Sequence, residues 1–138
     1  MALKQISVFL ENKSGRLAEV SALISDAGIN FRAISIADTA DFGILRMIVD
    51  KPDDALKLLE GNGFTARENL VLGVEVEDHP GGMAGVMKLF DENDVNIEYL
   101  YSSLESGTEN AVIIFKVEDV QHGIKILEKY NVSRISHF

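Results

Sequence analysis

The sequence predicts an α+β protein made of two similar halves, each folding as strand, helix, strand, strand, helix, strand. Three observations predict this fold: an internal repeat, the same order of strand and helix periodicity in both copies, and a globular composition. Hydrophobic residues make up 46% of the 138 residues and charged residues 25%. The chain therefore has enough apolar surface to bury a core, which excludes the disordered class.

The internal repeat becomes visible when residues 10–20 are compared with residues 77–86. Aligning Gly15 with Gly81 sets an offset of 66 residues, which carries through to residues 29–31 and 95–97. Near the end of each copy the offset becomes 68, and the two extra residues fall in a predicted turn, where insertions are tolerated. Apolar positions coincide in the two copies: Leu17 with Met83, Ala18 with Ala84, Val20 with Val86, and Leu23 with Leu89. The predicted domains are residues 1–70 and 71–138.

The elements of the first repeat follow from periodicity and from turn residues. Apolar residues alternate over 5–10, which predicts a strand, and then recur every three or four positions after Gly15, which predicts a helix ending at Gly28. Strands are expected over 29–36 and 44–50, on either side of a turn at 37–43. Pro52 suits the first turn of a second helix, and Phe64 begins a fourth strand.

The second repeat gives the same order of elements. We expect strands over 71–76, 95–104, 110–117 and 132–136, with helices starting near 80–82 and spanning 120–130. This order is the ferredoxin-like βαββαβ pattern, in which two helices cover one face of a four-stranded antiparallel sheet. Two such units packed side by side would also remove an exposed sheet edge.

Composition excludes several functional classes. The chain has no cysteine, which rules out disulfides, thiolate metal sites and a cysteine nucleophile and fits a reducing compartment. The longest apolar run, 111–115, is far shorter than the roughly 20 residues of a membrane span, and the first residues lack a signal-peptide core. A net charge of −9 opposes binding to nucleic acid or anionic lipid. We expect a soluble, cytoplasmic protein with no membrane or nucleic-acid partner.

Cofactor, metal and catalytic motifs are weak. His79 lies beside Asp78 and Glu77, but adjacent residues do not define a ligand cage, so no metal is expected. Residues 61–66 match the dinucleotide-binding letters but follow a helix and lead into a strand, the reverse of the required context. No nucleophile elbow is present. We therefore expect no cofactor and no catalytic activity; a small enzyme on this scaffold would need a buried acid–base pair in a pocket.

Residues 111–115 are apolar on both faces of the predicted strand. Helices can cover only one face of such a strand, so the other face is expected to meet a partner. A homodimer is the simplest partner. The alternative is a partly exposed apolar face, which folded proteins tolerate in small patches.

Two segments in each repeat resemble the signatures of one known family. Residues 11–17 and 77–83 resemble the first loop of an ACT domain, where a polar residue, Pro-Gly and an apolar residue open the first helix. Residues 28–31 and 94–97 resemble the family's second signature, at the start of the second strand. The first loop departs from the pattern because Ser14 stands where proline is usual. Asp94 replaces Gly28, which predicts a turn of different shape.

The resemblance covers nearly the whole chain twice and implies a free-standing tandem ACT protein. ACT domains commonly pair side by side, bind an amino acid where the domains meet, and regulate enzymes of amino-acid metabolism. The chain is similar in this respect to the small subunit of acetolactate synthase and to the regulatory tail of phosphoglycerate dehydrogenase. The alternative is an obligate regulatory subunit that docks on a catalytic partner such as an acetolactate-synthase-like enzyme, with or without a working ligand site.

The residues themselves support a site for a free amino acid. Gly15 and Gly81 let a ligand approach the backbone, and the unpaired amides of a helix start favour its carboxylate. Asn12 and Asp78 would accept hydrogen bonds from the ligand ammonium, unless they only cap the helices. Asn30 and Asn96 would contact the polar end of the ligand, unless they only satisfy a turn. The apolar wall candidates are alternatively core residues. The predicted ligand-binding set is Asn12, Gly15, Arg16, Leu17, Asn30, Phe31, Asp78, Gly81, Gly82, Met83, Asn96 and Ile97.

Overall fold

The structure, a computed structural model, describes residues 2–38, 41–104 and 109–136, with the side chain of Asp38 left outside the description. Thr39 and Ala40, within the turn expected at 37–43, also lie outside the described residues. The chain divides into two compact units. The N-terminal unit is Lys4–Asn69, and the C-terminal unit consists of Met1–Leu3 and Leu70–Phe138.

The N-terminal unit has two helices and an antiparallel sheet in the order β2-β3-β1-β4. In this sheet Leu45 of β3 lies opposite both Val8 of β1 and Ile36 of β2. The elements are β1 (Leu3–Glu11), α1 (Arg16–Asp26), β2 (Phe31–Asp38), β3 (Phe42–Val49), α2 (Pro52–Gly61) and the first part of β4 (Thr65–Val76).

The C-terminal unit repeats this plan with the strand order β5-β6-β4-β7. Its elements are the second part of β4, α3 (Gly82–Glu92), β5 (Ile97–Ser102), β6 (Ala111–Val117), α4 (Val120–Lys129) and β7 (Arg134–Ile135). Both units therefore order their first to fourth strands as second, third, first, fourth, which confirms the two ferredoxin-like βαββαβ units.

One strand boundary differs from the sequence prediction. The fourth strand of the first repeat and the first strand of the second were expected to be separate, but they form the single twelve-residue strand β4. The reason is local, because residues 65–72 contain neither glycine nor proline, so no turn interrupts the extended backbone.

Each unit has a core of its own beneath its helices. Alternate residues of β1, namely Ile6, Val8 and Leu10, are buried against Val20 and Ile24 of α1. In the C-terminal unit the strand residues Leu72, Val74 and Phe115 meet Phe90 of α3. The rings of Phe90 and Phe115 pack edge to face, with centroids 5.3 Å apart and an interplanar angle of 85°.

The apolar residues on the second face of β6 are also buried within the chain. Val112 and Ile114 expose 1% and 0% of their surface, as little as Phe115 on the opposite face of the strand. The open apolar face from which a homodimer was inferred is therefore not present at these two residues. The homodimer itself stays a prediction without that support.

The turn after the first helix has the same shape in both repeats, so the expected difference at Asp94 is wrong. Gly28 and Asp94 are both left-handed, with φ of 73° and 56°. In both turns the next amide bonds back into the helix, from Ile29 to Ile24 at 3.1 Å and from Val95 to Phe90 at 2.9 Å. Because this bonding pattern needs positive φ, Asp94 takes the glycine conformation at an energetic cost.

Candidate functional site: equivalent clefts at two glycine loops

The first helix of each unit begins at a left-handed glycine. Gly15 has φ 88° and Gly81 has φ 94°, and neither helix start is capped by a side chain. The cap positions of the two helices are occupied by these glycines. The first helical bonds run from Glu19 to Gly15 at 2.9 Å and from Gly85 to Gly81 at 3.0 Å. The amides just before them therefore have no acceptor within the helix.

A cleft of about 400 Å³ opens beside the second of these helix starts, within the C-terminal unit. We call it the C-terminal cleft. It lies between the end of β4, the start of α3 and the turn that precedes β7. Its lining includes residues 75–77, His79, Gly81, Gly82, Gly85, Asn110 and residues 131–133.

The N-terminal unit carries the same cleft, with a volume of about 290 Å³. Its lining, which defines the N-terminal cleft, includes residues 9–11, Arg16, Glu19, Phe42 and residues 62–65. These positions correspond through the repeat: residues 9–11 match 75–77 and residues 63–65 match 131–133. The cleft therefore belongs to the repeated fold, whereas its chemistry differs between copies.

In each of the two glycine loops, an ion pair joins equivalent positions. Lys13 Nζ lies 2.7 Å from Glu11 Oε2, and the hydrogen bond from Lys13 lowers the pKa of the Glu11 carboxyl. In the second loop His79 Nε2 meets Glu77 Oε2, while His79 Nδ1 lies 2.9 Å from the carbonyl oxygen of Pro80. The Pro80 carbonyl first, and the Glu77 carboxylate second, raise the pKa of His79. The first loop thus carries a permanent cation and the second a titratable one.

The first residue of the helix distinguishes the clefts most strongly. Arg16 Nη1 lies 3.0 Å from Glu19 Oε2, and Arg16 Nη2 lies 3.8 Å from Glu11 Oε1. The equivalent residue in the second repeat is Gly82, where an added Cβ would lie 2.0 Å from the carbonyl oxygen of Glu77. No side chain fits at Gly82 without movement of the backbone, because the Glu77 carbonyl fills that space, so this helix start carries only main-chain atoms.

Several predicted site residues gather at these loops. Gly81 and Gly82 line the C-terminal cleft, and Arg16 lines the N-terminal cleft. Asn12, Arg16 and Leu17 line a smaller groove of about 180 Å³ beside β2. Gly15 supplies the helix cap in the same loop. Asp78 is an exposed residue of the second loop, and Met83 packs against the C-terminal core.

Asn30 lies far from the glycine loop of its own unit. The amide of Asn30 donates to Asp50 Oδ1 at 3.0 Å, just beyond the end of β3, whereas Asn12 bonds to Asp41 just before β3. The eight residues of β3 separate these positions by about 24 Å. Asn30 therefore joins β2 to β3 at the opposite end of the unit, as the turn alternative predicted, and the structure does not bring it to the cleft.

Asn96 has the same place in the second repeat. It accepts a backbone bond from Glu118 at 3.0 Å and donates through Nδ2 to the Glu118 carboxylate at 3.2 Å. The neighbouring Phe31 and Ile97, at the starts of β2 and β5, are partly buried against their respective cores. These four residues hold the strand starts in place.

The predicted site residues do not include the turn before the last strand of each unit, although this turn lines both clefts. Asn131, Val132 and Ser133 line the C-terminal cleft, and Gly63 and Phe64 line the N-terminal cleft. Gly63 and Asn131 are both left-handed, with φ of 85° and 53°. The alignment of Gly63 with Asn131 at the offset of 68 was the signal that could have found this turn.

Over residues 2–38, 41–104 and 109–136, no group of three or more His, Asp or Glu side chains could hold a metal ion. No helix in the described part of the chain is long and apolar enough to cross a bilayer.

Comparison with known proteins gives one family and several similar structures. The sequence profile of the ACT domain pair matches residues 1–136. The crystal structure of protein BT0572 from Bacteroides thetaiotaomicron is 38% identical, with a TM-score of 0.91, and the match covers 98% of this chain and 92% of that one. The regulatory subunit of aspartate kinase from Thermus thermophilus is 18% identical, with a TM-score of 0.64 and 91% of each chain covered. The subunit from Thermus flavus is 17% identical, with a TM-score of 0.60 and coverage of 91% and 90%. No curated protein matches the sequence.

Proposed function

Because this chain belongs to the family of ACT domain pairs, we propose that it is a non-catalytic regulatory protein that binds a free amino acid at the C-terminal cleft. Binding would modulate an enzyme of amino-acid metabolism. The observation that carries the proposal is the start of α3, which has no side-chain cap and forms one wall of a cleft of about 400 Å³. A cleft of this volume is in the usual range for small-molecule sites.

The chemistry of the cleft suits a zwitterion. Gly81, Gly82 and Gly85 line the cleft, and the amides of Met83 and Ala84 between them precede the first helical bond, which Gly85 donates. Such amides, together with the helix dipole, favour the carboxylate of an amino acid. Glu77 and Asn131 in the lining carry oxygens that can accept hydrogen bonds from its ammonium.

Regulation requires that the ligand bind one state of the protein better than another. A ligand can shift an equilibrium only by its differential affinity for the two states. The site expected where the two repeats meet stays a prediction, since each cleft described above is formed within a single unit.

Calorimetric titration of the purified protein with each of the twenty amino acids tests the proposal. At least one should bind, and Gly85→Glu should abolish that binding, because a Cβ at Gly85 meets no atom within 4 Å and the side chain would extend from α3 into the cleft. Gly61→Glu introduces the same charge at a glycine that likewise has nothing within 4 Å, outside this cleft, and should bind as the wild type does. Failure of all twenty amino acids at millimolar concentration would refute the proposal.

A second candidate function is docking on a catalytic partner. Three large apolar side chains are exposed near α1 and β2, namely Leu17, Ile34 and Ile36, at 48%, 39% and 49%. The Thermus subunits in the comparison are regulatory subunits of aspartate kinase by name, although their likeness to this chain shows the fold alone. Under this function, Ile36→Asp should prevent a catalytic enzyme from co-purifying with the protein and leave amino-acid titrations unchanged. Unchanged co-purification would exclude this face as the docking surface.

A further inference from the structure

The two clefts occupy equivalent positions but carry different side chains at the helix start. We propose, on the basis of the amino-acid site above, that only the C-terminal cleft takes the ligand, and that Arg16, paired with Glu19, narrows the N-terminal cleft and occupies its helix start in place of the ligand. The chain would then bind one amino acid, although its fold offers two equivalent places.

The first argument is the contrast between Arg16 and Gly82. The Arg16 side chain lines the N-terminal cleft and is 38% exposed, so most of its surface is covered by the protein. At Gly82 the Glu77 carbonyl leaves no room even for a Cβ, and the helix start in that repeat remains bare backbone. One helix start therefore carries only main-chain atoms, with the Glu77 carbonyl against Gly82, whereas a guanidinium-bearing side chain stands beside the other.

The second argument comes from the next turn of the same helices. Glu19 lines the N-terminal cleft and holds Arg16 at 3.0 Å. Its counterpart is Gly85, which also lines its cleft and faces open space. The ion pair of the first repeat thus has no equivalent in the second, and the cleft volumes of about 290 and 400 Å³ differ in the same direction.

These side chains make ligand access unequal. An amino acid entering the N-terminal cleft would meet the Arg16 side chain at the helix start, where Glu19 holds it at 3.0 Å and Glu11 lies at 3.8 Å. The C-terminal cleft has no such side chain at its helix start, because the equivalent residues are Gly82 and Gly85. The position pair 16 and 82 therefore determines which repeat binds the ligand.

The test is the stoichiometry of amino-acid binding, measured by titrating each of the twenty amino acids singly into the full chain. The wild type should bind one equivalent per chain, the double variant R16A/E19A should bind two, and R16A/E19A/G85E should return to one. Alanine keeps helix propensity high, and thermal unfolding of each variant shows whether it is folded. Backbone amide shifts in the wild type should move at Met83 and Ala84 and stay fixed at Leu17 and Ala18.

The proposal and the function on which it depends fail differently. Two equivalents in the wild type, or one equivalent in R16A/E19A, would overturn the assignment of the clefts and leave amino-acid binding intact. Loss of binding in R16A alone would show that Arg16 is a ligand-binding group, which also overturns it. Absence of binding in the wild type and in every variant would overturn both.

Discussion

Gly82→Ala should destabilise the protein through one backbone contact. The new Cβ would lie 2.0 Å from the Glu77 carbonyl oxygen, where ordinary carbon–oxygen contacts are about 3.3 Å or longer. The carbonyl must therefore move by more than about 1 Å, and it already accepts a hydrogen bond from the amide of His79 at 3.0 Å. Overpacking costs about 1–3 kcal/mol and the lost bond about 1 kcal/mol, while alanine regains about 0.5–1 kcal/mol in the helix. We expect a net loss of about 2 kcal/mol.

Gly85→Ala is the matched control on the same helix. A Cβ at Gly85 meets nothing within 4 Å, so only the helix propensity changes and stability should rise by about 0.5–1 kcal/mol. Arg16, at the position equivalent to Gly82, already has a Cβ, so Arg16→Ala should change the free energy of unfolding little. Urea denaturation monitored by circular dichroism gives the free energy of unfolding of all three variants. A Gly82→Ala midpoint at or above that of the wild type would refute the reasoning.

The structure supports three further predictions. Asp94→Gly should stabilise the protein by about 0.5–1 kcal/mol in chemical denaturation, because glycine adopts φ 56° without strain. Gly28→Asp should destabilise the protein, and stability changes of the same sign in both variants would contradict this prediction. Phe90→Ala should cost about 3–5 kcal/mol, because the ring is fully buried, and a loss below about 1 kcal/mol would show that the core refills the void. The raised pKa of His79 means that its stabilising effect is complete below the unfolded value of 6.5 and is lost as pH rises through the folded pKa. An NMR titration of the imidazole should show that pKa above 6.5 in the wild type and a fall towards 6.5 in Glu77→Gln, and a folded pKa at or below 6.5 would contradict it.

Much of the fold was predictable because the two copies of the repeat could be compared with each other. Helix and strand periods recur at matching positions, and the paired glycines mark helix starts that the structure places at Gly15 and Gly81. The continuity of β4 was harder to predict, since an unbroken extended segment has the same local pattern as two strands that abut. The matching turns at Gly28 and Asp94 show that one helix-ending bonding pattern imposed the same conformation on two residue types.

The candidate site was only half predictable. The glycine loops are local features, and a helix start exposes its amides whatever surrounds it. Asn30 was assigned to the same site because its motif recurs with the loop, yet α1 returns the chain to the opposite end of β3 before Asn30 is reached. The prediction for Asn30 therefore left out the length of α1, which carries the chain from one end of the unit to the other.

The amino-acid sequence by itself determined the duplicated strand–helix order and the loops where unpaired amides are offered, because these depend on neighbours within one helical turn. Tertiary structure alone decided which side chains share a cleft. The turns at Gly63 and Asn131 reach the glycine loops only because strand pairing sets the fourth strand of each unit beside the first. Arg16 and Glu19 lie three residues apart on α1, so their pairing could be predicted from the sequence. That this pair shares a cleft with residues 64–65 depends on packing between elements, which no local pattern records.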